Sequence, residues 1–404
     1  MPSAASALFR LPDFRWLGAT MVLNSAGMMG ELVVLGWLAL ELTNSPFLVG
    51  VAMGARAAPL FFVGVPAGVL ADQVPRHRLL LATSIGQAVT ASTIGVLAVS
   101  GLATFGHLVG LTLAAGALRG VEHAARQSYA HDVVGAGRLV GALAVLGVAM
   151  RVGWLFGSLG AGAVIARWGA GAAYLAVAAS FLAGAVALLP ASAPAGAAPR
   201  APGSMWGTFV GFATALRQDR VLPVLMLLTA AAEVLGFAHQ TVLPSLARDV
   251  LHAGPEGLGA LNAARSVGGI VGLFAVWARR PSAGGGALFL TVLGAFGVGL
   301  VALGLAPHVV GLAGVLLVLV AVNAIGALAD LLAQSLMQLS VPTELRGRAG
   351  GAWVVAIGLA PLGQMHIGAL ASLFSVTVAL GTSGLTLVAL AGGAALLFPR
   401  VRRL

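Results

Sequence analysis

The sequence GVLADQVPRHRLL at residues 68–80 lies between two long apolar runs. The runs, near 47–70 and 79–100, are each long enough to cross the membrane as a helix, since ~30 Å of hydrocarbon takes about 20 residues. The connection between them is short and carries one acid and two arginines. This stretch therefore predicts a pair of membrane-spanning helices joined by a basic turn.

The composition of the whole chain agrees with a membrane environment. Of the 404 residues, 59% are hydrophobic and only 8% are charged, whereas soluble domains carry about 25% charged residues. The mean hydropathy is +1.01 and the isoelectric point is about 11.7. The basic residues are not concentrated in a short stretch, so the charge does not indicate nucleic-acid binding. We therefore exclude a soluble enzyme, a disordered chain and a nucleic-acid-binding module.

Two residue types are absent, and each absence excludes a kind of chemistry. The chain has no cysteine, which excludes disulfides, zinc-thiolate sites and thiol catalysis. It has no lysine either, because all 22 basic residues are arginine, and a phosphate-binding P-loop needs a lysine. We therefore expect no cofactor, and expect an ion gradient or a separate ATPase to supply energy. Met1 to Trp16 lacks the pattern of a cleaved signal peptide.

Twelve apolar segments of sufficient length occur along the chain. We place them near 15–40, 47–70, 79–100, 105–129, 138–165, 171–190, 221–245, 257–279, 285–306, 309–340, 350–373 and 375–398. A polar, proline-rich segment at 191–219 separates the first six from the last six. The sequence thus predicts an all-α membrane protein with an N-terminal six-helix bundle (1–190), a central linker (191–219) and a C-terminal six-helix bundle (220–404).

The placement of the arginines predicts the orientation of the chain. Sixteen of the 22 lie at the termini or in even-numbered connections, and only Arg167 and Arg248 lie on the opposite side. Basic residues mark the cytoplasmic side of membrane proteins. We therefore expect a multi-pass protein of the cytoplasmic (inner) membrane with both termini and the central linker in the cytoplasm.

Residues 68–80 resemble the loop signature of the major facilitator superfamily, G-x-L-A-D-[RK]-x-G-R-[RK]-x-x-L. Gln73 stands in place of the first basic residue of the signature, and Pro75 in place of its second glycine. The acid at Asp72 lies at a helix C-terminus, whose dipole disfavours negative charge. It therefore needs partners from a neighbouring helix, and such a pairing would hold one conformation and break in another. The alternative is a basic turn that only determines topology. The residues assigned to this conformational latch are Gly68, Asp72, Arg76 and Arg78.

Other segments resemble the third drug–proton antiporter branch of this superfamily, which includes macrolide-efflux and enterobactin-exporter-like proteins. They are Asp13-Phe14-Arg15-Trp16-Leu17, 42–46, Leu243-Pro244, 338–348 and Pro361-Leu362-Gly363. The resemblance implies two pseudo-symmetric six-helix bundles that work by alternating access and export a drug or siderophore. The chain departs from the branch at Ser158, where the antiporter signature has proline, and at Glu122, where it has glutamine.

Several polar residues lie inside the predicted spans, where a charge costs about 2.5–3.5 kcal/mol. Residues seven apart share a helix face, and three pairs have this spacing: Asn24 with Glu31, Glu233 with Gln240, and Asn323 with Asp330. The resemblance implies that the first, fourth, seventh and tenth helices line a central cavity. The candidate cavity residues are Asn24, Arg119, Glu122, Arg151, Trp154, Gln240, Asn262, Arg265, Asn323 and Gln334.

Three embedded acids are candidates for proton coupling: Glu31, Asp330 and Glu233. A buried acid favours its neutral form, so that protonation can be coupled to conformation. The alternative for Glu31 and Asp330 is a permanent structural pair with Arg151 or Arg265, and Glu233 is also suited to a cationic substrate. For Glu122 we expect a local pair with Arg119 or Arg126 on the same helix.

The scattered histidines have no metal-binding spacing, and no catalytic cluster or metal site is predicted. The function that fits best is a proton-coupled exporter of a hydrophobic or amphipathic small molecule, acting as a monomer in the lipid bilayer. A uniporter or symporter of a metal or organic anion is the alternative. A polytopic membrane enzyme or a receptor is a third possibility of another class, for which the sequence shows neither a catalytic cluster nor an appended domain.

Overall fold

A computed structural model describes residues 8–191, 221–278, 285–340, 353 and 355–403. Over these residues the regular structure is entirely helical, which confirms the predicted all-α membrane fold. Nine helical stretches in this part of the chain are long and apolar enough to cross a membrane, and one of them, Gly141–Leu188, is long enough for two crossings.

Six long helices are found in the described residues of the first half of the chain. They are α1 (Pro12–Thr43), α2 (Pro46–Gln73), α3 (Arg76–Val99), α4 (Phe105–Val134), and α5 (139–168) with α6 (170–188), which are the two parts of the helix Leu139–Leu188. Gly169 separates α5 from α6 with φ 83° and ψ 171°. This conformation is open to glycine and not to other residues, which is why the chain turns at this position.

The described residues of the second half contain six further helices and a short one near the end. They are α7 (Val221–Val250), α8 (Gly254–Ala278), α9 (Gly285–Leu305), α10 (Gly311–Leu339), α11 (Ala360–Leu373), α12 (Val376–Leu397) and α13 (Pro399–Arg402). Among the described residues, a helix is thus found at the position of each of the twelve predicted spans. The seventh extends to residue 250, five residues beyond the predicted end, because the irregular turns after Gly236 continue the helix instead of ending it.

The helices group into two compact units. The first contains the described residues within Met1–Thr43, Ala55–Pro202 and Gly254–Ala263. In it α1 packs along the α5–α6 segment, and α3 packs against this segment and against α4. Gly153 and Gly157 of α5 lie so close to the main chain of α1 that a side chain would collide with it. These two glycines thus allow close packing of the two helices, whereas Gly160 faces open space.

The second unit contains the described residues within Asn44–Gly54, Gly203–Ala253 and Ala264–Leu404. In it α9 packs against α12 and α10, and α11 packs against the middle of α7 and against α12. Gly268 and Gly272 of α8 lie against main-chain carbonyls of α10. Of the predicted linker 191–219, only Ala191 falls in the described part of the chain, so the predicted domain boundaries stay a prediction.

Candidate transport site

A buried ion-pair cluster in the first unit joins α1, α2 and α4. Arg119 donates a hydrogen bond through Nη1 to Oε2 of Glu31, and Nε of Arg56 lies 3.8 Å from the same oxygen. Arg56 also donates from Nη2 to the carbonyl oxygen of Met28 at 3.1 Å. The side chain of Glu31 is only 5% exposed. We call Glu31, Arg56 and Arg119 the arginine–glutamate triad.

The triad corrects one alternative pairing. Glu31 pairs with Arg119 and Arg56 instead of Arg151 or Arg265, and of the two arginines expected beside Glu122 it is Arg126 that pairs with it. The reason is the close approach of α4 and α2. A Cβ atom placed on Gly116 would lie 2.7 Å from the carbonyl oxygen of Arg56. With the two main chains this close, Arg119, less than one turn after Gly116, reaches α1 rather than its own helix neighbour.

Glu122 sits in a second polar cluster, between α3 and α4. Its Oε2 accepts a hydrogen bond from Nε2 of Gln87 at 2.9 Å, and its Oε1 accepts one from Nη1 of Arg126 at 3.1 Å. The expected pairing with Arg126 is confirmed. Both Glu122 and Gln87 are buried. Gln87 was not predicted as a site residue, because the apolar part of α3 contains no charged side chain and so gave no sign of a polar cluster.

Asn24 is linked to α3 as well. Its Nδ2 donates to Oγ of Ser84 at 2.8 Å, and both side chains are buried. Asn24 and Glu31 thus both face neighbouring helices, as the seven-residue spacing predicts. Arg151, on α5, has its guanidinium carbon 4.7 Å from the ring centroid of Trp154. This is a cation–π contact, so the two predicted cavity residues of α5 contact each other.

The predicted latch is only partly described. The surroundings of Gly68 and of the Asp72 side chain lie outside what the structure describes, and Arg78 is exposed. Arg76 donates from Nη1 to both carboxylate oxygens of Asp132, at 2.5 and 2.6 Å. This pair fastens the start of α3 to the end of α4. Asp132 is therefore a partner of the basic turn that sequence reasoning missed, and the role of Asp72 stays a prediction.

The second unit holds its polar residues on a distorted α7. This helix is α-helical over Val221–Ala231, then forms a π-helical turn at Ala232–Gly236 and a 3-10 helix at Phe237–Val242. Glu233 lies in the π turn, and Gln240 lies in the 3-10 helix. Such π turns inside helices occur frequently at functional sites. The sequence pattern predicted a regular helix, because the distorted residues contain no proline and the first one after them is Pro244.

Two hydrogen bonds tie the distorted part of α7 to its neighbours. Gln240 accepts a bond through Oε1 from Nη2 of Arg265 on α8 at 2.7 Å. Asn323 of α10 lies with Nδ2 3.4 Å from Nε2 of His239, whose Nδ1 is 2.8 Å from the carbonyl oxygen of Gly236. Since a carbonyl only accepts, Nδ1 carries the proton and Nε2 is the acceptor for Asn323. His239 is fully buried and packed, as expected.

The two candidate acids of this unit, Glu233 and Asp330, have different surroundings. Oδ1 of Asp330 accepts a hydrogen bond from Nε1 of Trp353 at 3.0 Å. Glu233 is partly buried, and within the described part of the chain no hydrogen bond or ion pair to it is found. The main influence on Glu233 is its burial away from water, and the negative charge of Asp330 is a smaller one. Trp353 therefore contributes a polar contact as well as its aromatic surface.

The remaining candidates are less connected. Asn262 donates from Nδ2 to the carbonyl oxygen of Leu258 on its own helix at 3.1 Å and is buried. Gln334 is partly buried on α10. Asn262 belongs to the first unit and Gln334 to the second. In the residues that the structure describes, no three metal-ligating side chains lie together.

The fold is similar to that of solved transporters of low sequence identity. A mutant of the peptide transporter POT bound to sulfate aligns with a TM-score of 0.80 at 13% identity, over 96% of this chain and 95% of that chain. A mutant of the nucleoside transporter NupG aligns with a TM-score of 0.75 at 12% identity, over 96% and 99%.

A bacterial homolog of the human lysosomal transporter Spinster, inward-facing and unoccupied, aligns with a TM-score of 0.72 at 15% identity, over 97% of this chain and 96% of that chain. Among curated proteins, none matches the chain significantly. A profile described as transmembrane secretion effector matches residues 3–404. The family and the structural neighbours are transporters and not enzymes, so the enzyme alternative is set aside. The chain therefore belongs to the transmembrane secretion effector family of the major facilitator superfamily and is a multi-pass membrane transporter.

Proposed function

We propose that this transporter exports a hydrophobic or amphipathic small molecule, of drug or siderophore type, in exchange for protons that flow inward. The export direction is supported by the family description, transmembrane secretion effector, and by the antiporter-like segments of the sequence. Transport then proceeds by alternating access, in which the binding site opens to one side of the membrane at a time.

The observation that carries the proton coupling is the environment of Glu233. It lies in the middle of an apolar helix, in a π turn, and its electrostatic neighbour is another acid. Two negative charges away from water destabilise each other, and a proton on one of them removes the repulsion. Glu233 is therefore the acid best suited to bind and release a proton. When the proton leaves, the negative charge of Asp330 repels the charge that forms on Glu233.

Glu31 is assigned a different role in this proposal. A carboxylate between two guanidinium groups already has its charge compensated, so a proton is not needed to stabilise it. The arginine–glutamate triad then joins α1, α2 and α4 throughout the cycle. Three acids were predicted from the sequence as candidate proton carriers, and we propose that Glu233 is the one that carries the proton.

The experiment uses purified protein in proteoliposomes with a lumen more acidic than the medium, and ethidium and erythromycin as probes. Wild-type protein is expected to accumulate at least one probe in the lumen only while the pH gradient lasts. Glu233→Gln should abolish this accumulation. Glu256→Gln is the matched control, because it makes the same change at an exposed acid at the start of α8, and it should transport as wild type.

Two results would contradict the proposal. Equilibration of a probe without any dependence on the gradient would indicate a uniporter, the alternative function. Full gradient-driven accumulation by Glu233→Gln would exclude Glu233 as the proton carrier.

We further propose that the protein lies in the cytoplasmic membrane with both termini in the cytoplasm. The support is the arginine distribution. The absence of cysteine makes the test clean, because a single introduced cysteine is the only thiol. Ser100→Cys, between α3 and α4, should react with an impermeant maleimide added to whole cells, and Gly137→Cys, between α4 and α5, should react only after lysis. The reverse pattern would contradict this orientation.

A further inference from the structure

A groove on the second unit runs along the outer surface between α9 and α12. Its volume is about 330 Å³, which is at the lower end of the range for small-molecule sites. It lies away from the polar residues of α7, α8 and α10 described above. Its lining is apolar except for Thr291 and one charged residue, Arg402.

The sequence explains why the groove forms. Two helix faces line it, each with the spacing i, i+3, i+4 and i+7: Ala287, Leu290, Thr291 and Gly294 on α9, and Val388, Ala391, Gly392 and Ala395 on α12. Most of these side chains are small, so little material fills the space between the helix axes. Further along, Gly297 and Gly384 bring the two main chains into direct contact. The helices therefore touch at the glycine pair and leave a groove towards the chain terminus.

The side chains along the walls of the groove offer no hydrogen-bond donor to a ligand. The hydroxyl of Thr291 donates to the carbonyl oxygen of Ala287 on its own helix at 2.9 Å, so that only its oxygen is left, as an acceptor. Gly392 is exposed, and a Cβ atom placed on it would meet nothing within 4 Å. The body of the groove is thus open and suited to a hydrocarbon chain.

One end of the groove is positively charged. The short helix α13 begins at Pro399, directly after α12 ends, and packs on α9. Val401 is buried and anchors this turn, while Arg400, Arg402 and Arg403 are exposed. In the described part of the chain, no ion pair involves Arg402. The anchored turn therefore holds an arginine at the mouth of an apolar groove.

The exposed residues before α13 indicate the depth of this mouth in the membrane. Leu396 and Leu397 are 80% and 76% exposed, and side chains of this kind belong in hydrocarbon. The arginines that follow belong at the headgroup level, where basic residues attract anionic lipids. The change from exposed leucine to exposed arginine within six residues thus marks the boundary between hydrocarbon and headgroups.

We propose that this groove binds one anionic phospholipid, with an acyl chain between α9 and α12 and the phosphate at Arg402. A groove open to the bilayer, apolar along its length and cationic where the headgroups lie, matches the chemistry of such a lipid at both ends. The site is separate from the transport pathway and does not depend on the direction or coupling of transport.

Native mass spectrometry of the detergent-purified protein, with added phosphatidylglycerol or phosphatidylcholine, tests this site. Wild-type protein should retain one phosphatidylglycerol at a lower concentration than phosphatidylcholine. Gly392→Leu fills the groove and should reduce retention of both lipids. Gly393→Leu is the matched control, because Gly393 also faces open space but does not line the groove, and it should bind as wild type.

The headgroup contact is tested separately. Arg402→Gln should lower the preference for phosphatidylglycerol about five-fold, since a basic residue near the membrane surface contributes roughly that factor. Arg403→Gln, the neighbouring exposed arginine that does not line the groove, should lower it less. Equal melting temperatures of the four variants and wild type establish that all are folded.

Three results would overturn the proposal. One is equal lipid retention by Gly392→Leu and Gly393→Leu. Another is an unchanged phosphatidylglycerol preference in Arg402→Gln. The third is a dimer in the wild-type spectrum that Gly392→Leu abolishes, because small-residue faces also pack against other helices, and the occupant would then be a second copy of this chain.

Discussion

Glu31 and Glu233 are both acids in the middle of a membrane helix, one in each compact unit, and the charges around them are opposite. Glu31 lies between Arg119 and Arg56 on a regular α1. Glu233 lies in a π turn of α7, near the negative charge of Asp330. The comparison teaches that the first unit compensates Glu31 with two arginines, whereas no ion pair to Glu233 is found among the residues that the structure describes.

The helices that carry these acids differ in the same sense. Residues Pro12–Thr43 form one unbroken α-helix. The carboxylate of Glu31 on this helix is bound by side chains of two other helices. In α7 the hydrogen-bonding pattern changes twice between Ala232 and Val242. Distortion of this kind frees main-chain groups and weakens the resistance of a helix to bending. A regular helix suits a permanent junction, and in the proposed transport cycle a distorted helix suits a residue whose protonation changes.

The largest expected effect comes from breaking the triad. Arg119→Gln leaves Glu31 buried with Arg56 alone, and loss of one partner of a buried ion pair costs about 3–5 kcal/mol. Unfolding of the solubilised protein in SDS, followed by circular dichroism, measures this loss. The double variant Glu31→Gln/Arg119→Gln removes the charge that was left unpaired and should regain most of the stability. Equal losses in the single and double variants would show that the pair is not a structural unit.

A smaller effect is expected at the Arg76–Asp132 pair, which extends the comparison to an ion pair nearer to water. Arg76→Gln removes two charged hydrogen bonds, and we expect a loss of about 1.5–3 kcal/mol. Arg78→Gln is the control, since Arg78 lies two residues away, is exposed and should have no effect on the same SDS unfolding curve. A loss for Arg78→Gln as large as for Arg76→Gln would contradict the pairing.

The smallest effect is expected in the second unit. Trp353→Phe keeps the aromatic ring but removes the N–H that Asp330 accepts, which should cost about 1 kcal/mol. In the proposed transport cycle it should also shift the pH at which gradient-driven accumulation is half-maximal, because Asp330 acts on Glu233. Trp168→Phe, at an exposed tryptophan of the first unit, should change neither the unfolding curve nor the pH profile. A silent Trp353→Phe would remove Trp353 from the site.

The sequence predicted the twelve spans and the polar helix faces, because both follow from hydrophobic runs and from helical periodicity. It did not predict which neighbour each polar side chain would meet. Periodicity places Arg119 and Glu122 within one turn of each other, but the approach of Gly116 to Arg56 decides that Arg119 reaches Glu31. The distortion of α7 was also missed, since no proline or paired glycine marks residues 232–236.

The difference between Glu31 and Glu233 is tested most directly by infrared spectroscopy of the solubilised protein. A titration from alkaline to acidic pH produces carboxylic-acid C=O signals as acids take up protons, and the comparison of variants assigns them. The signal of a buried acid is expected in wild type and in Glu31→Gln, and it should be lost in Glu233→Gln. Its loss in Glu31→Gln, with the signal intact in Glu233→Gln, would contradict the assignment of the proton to Glu233.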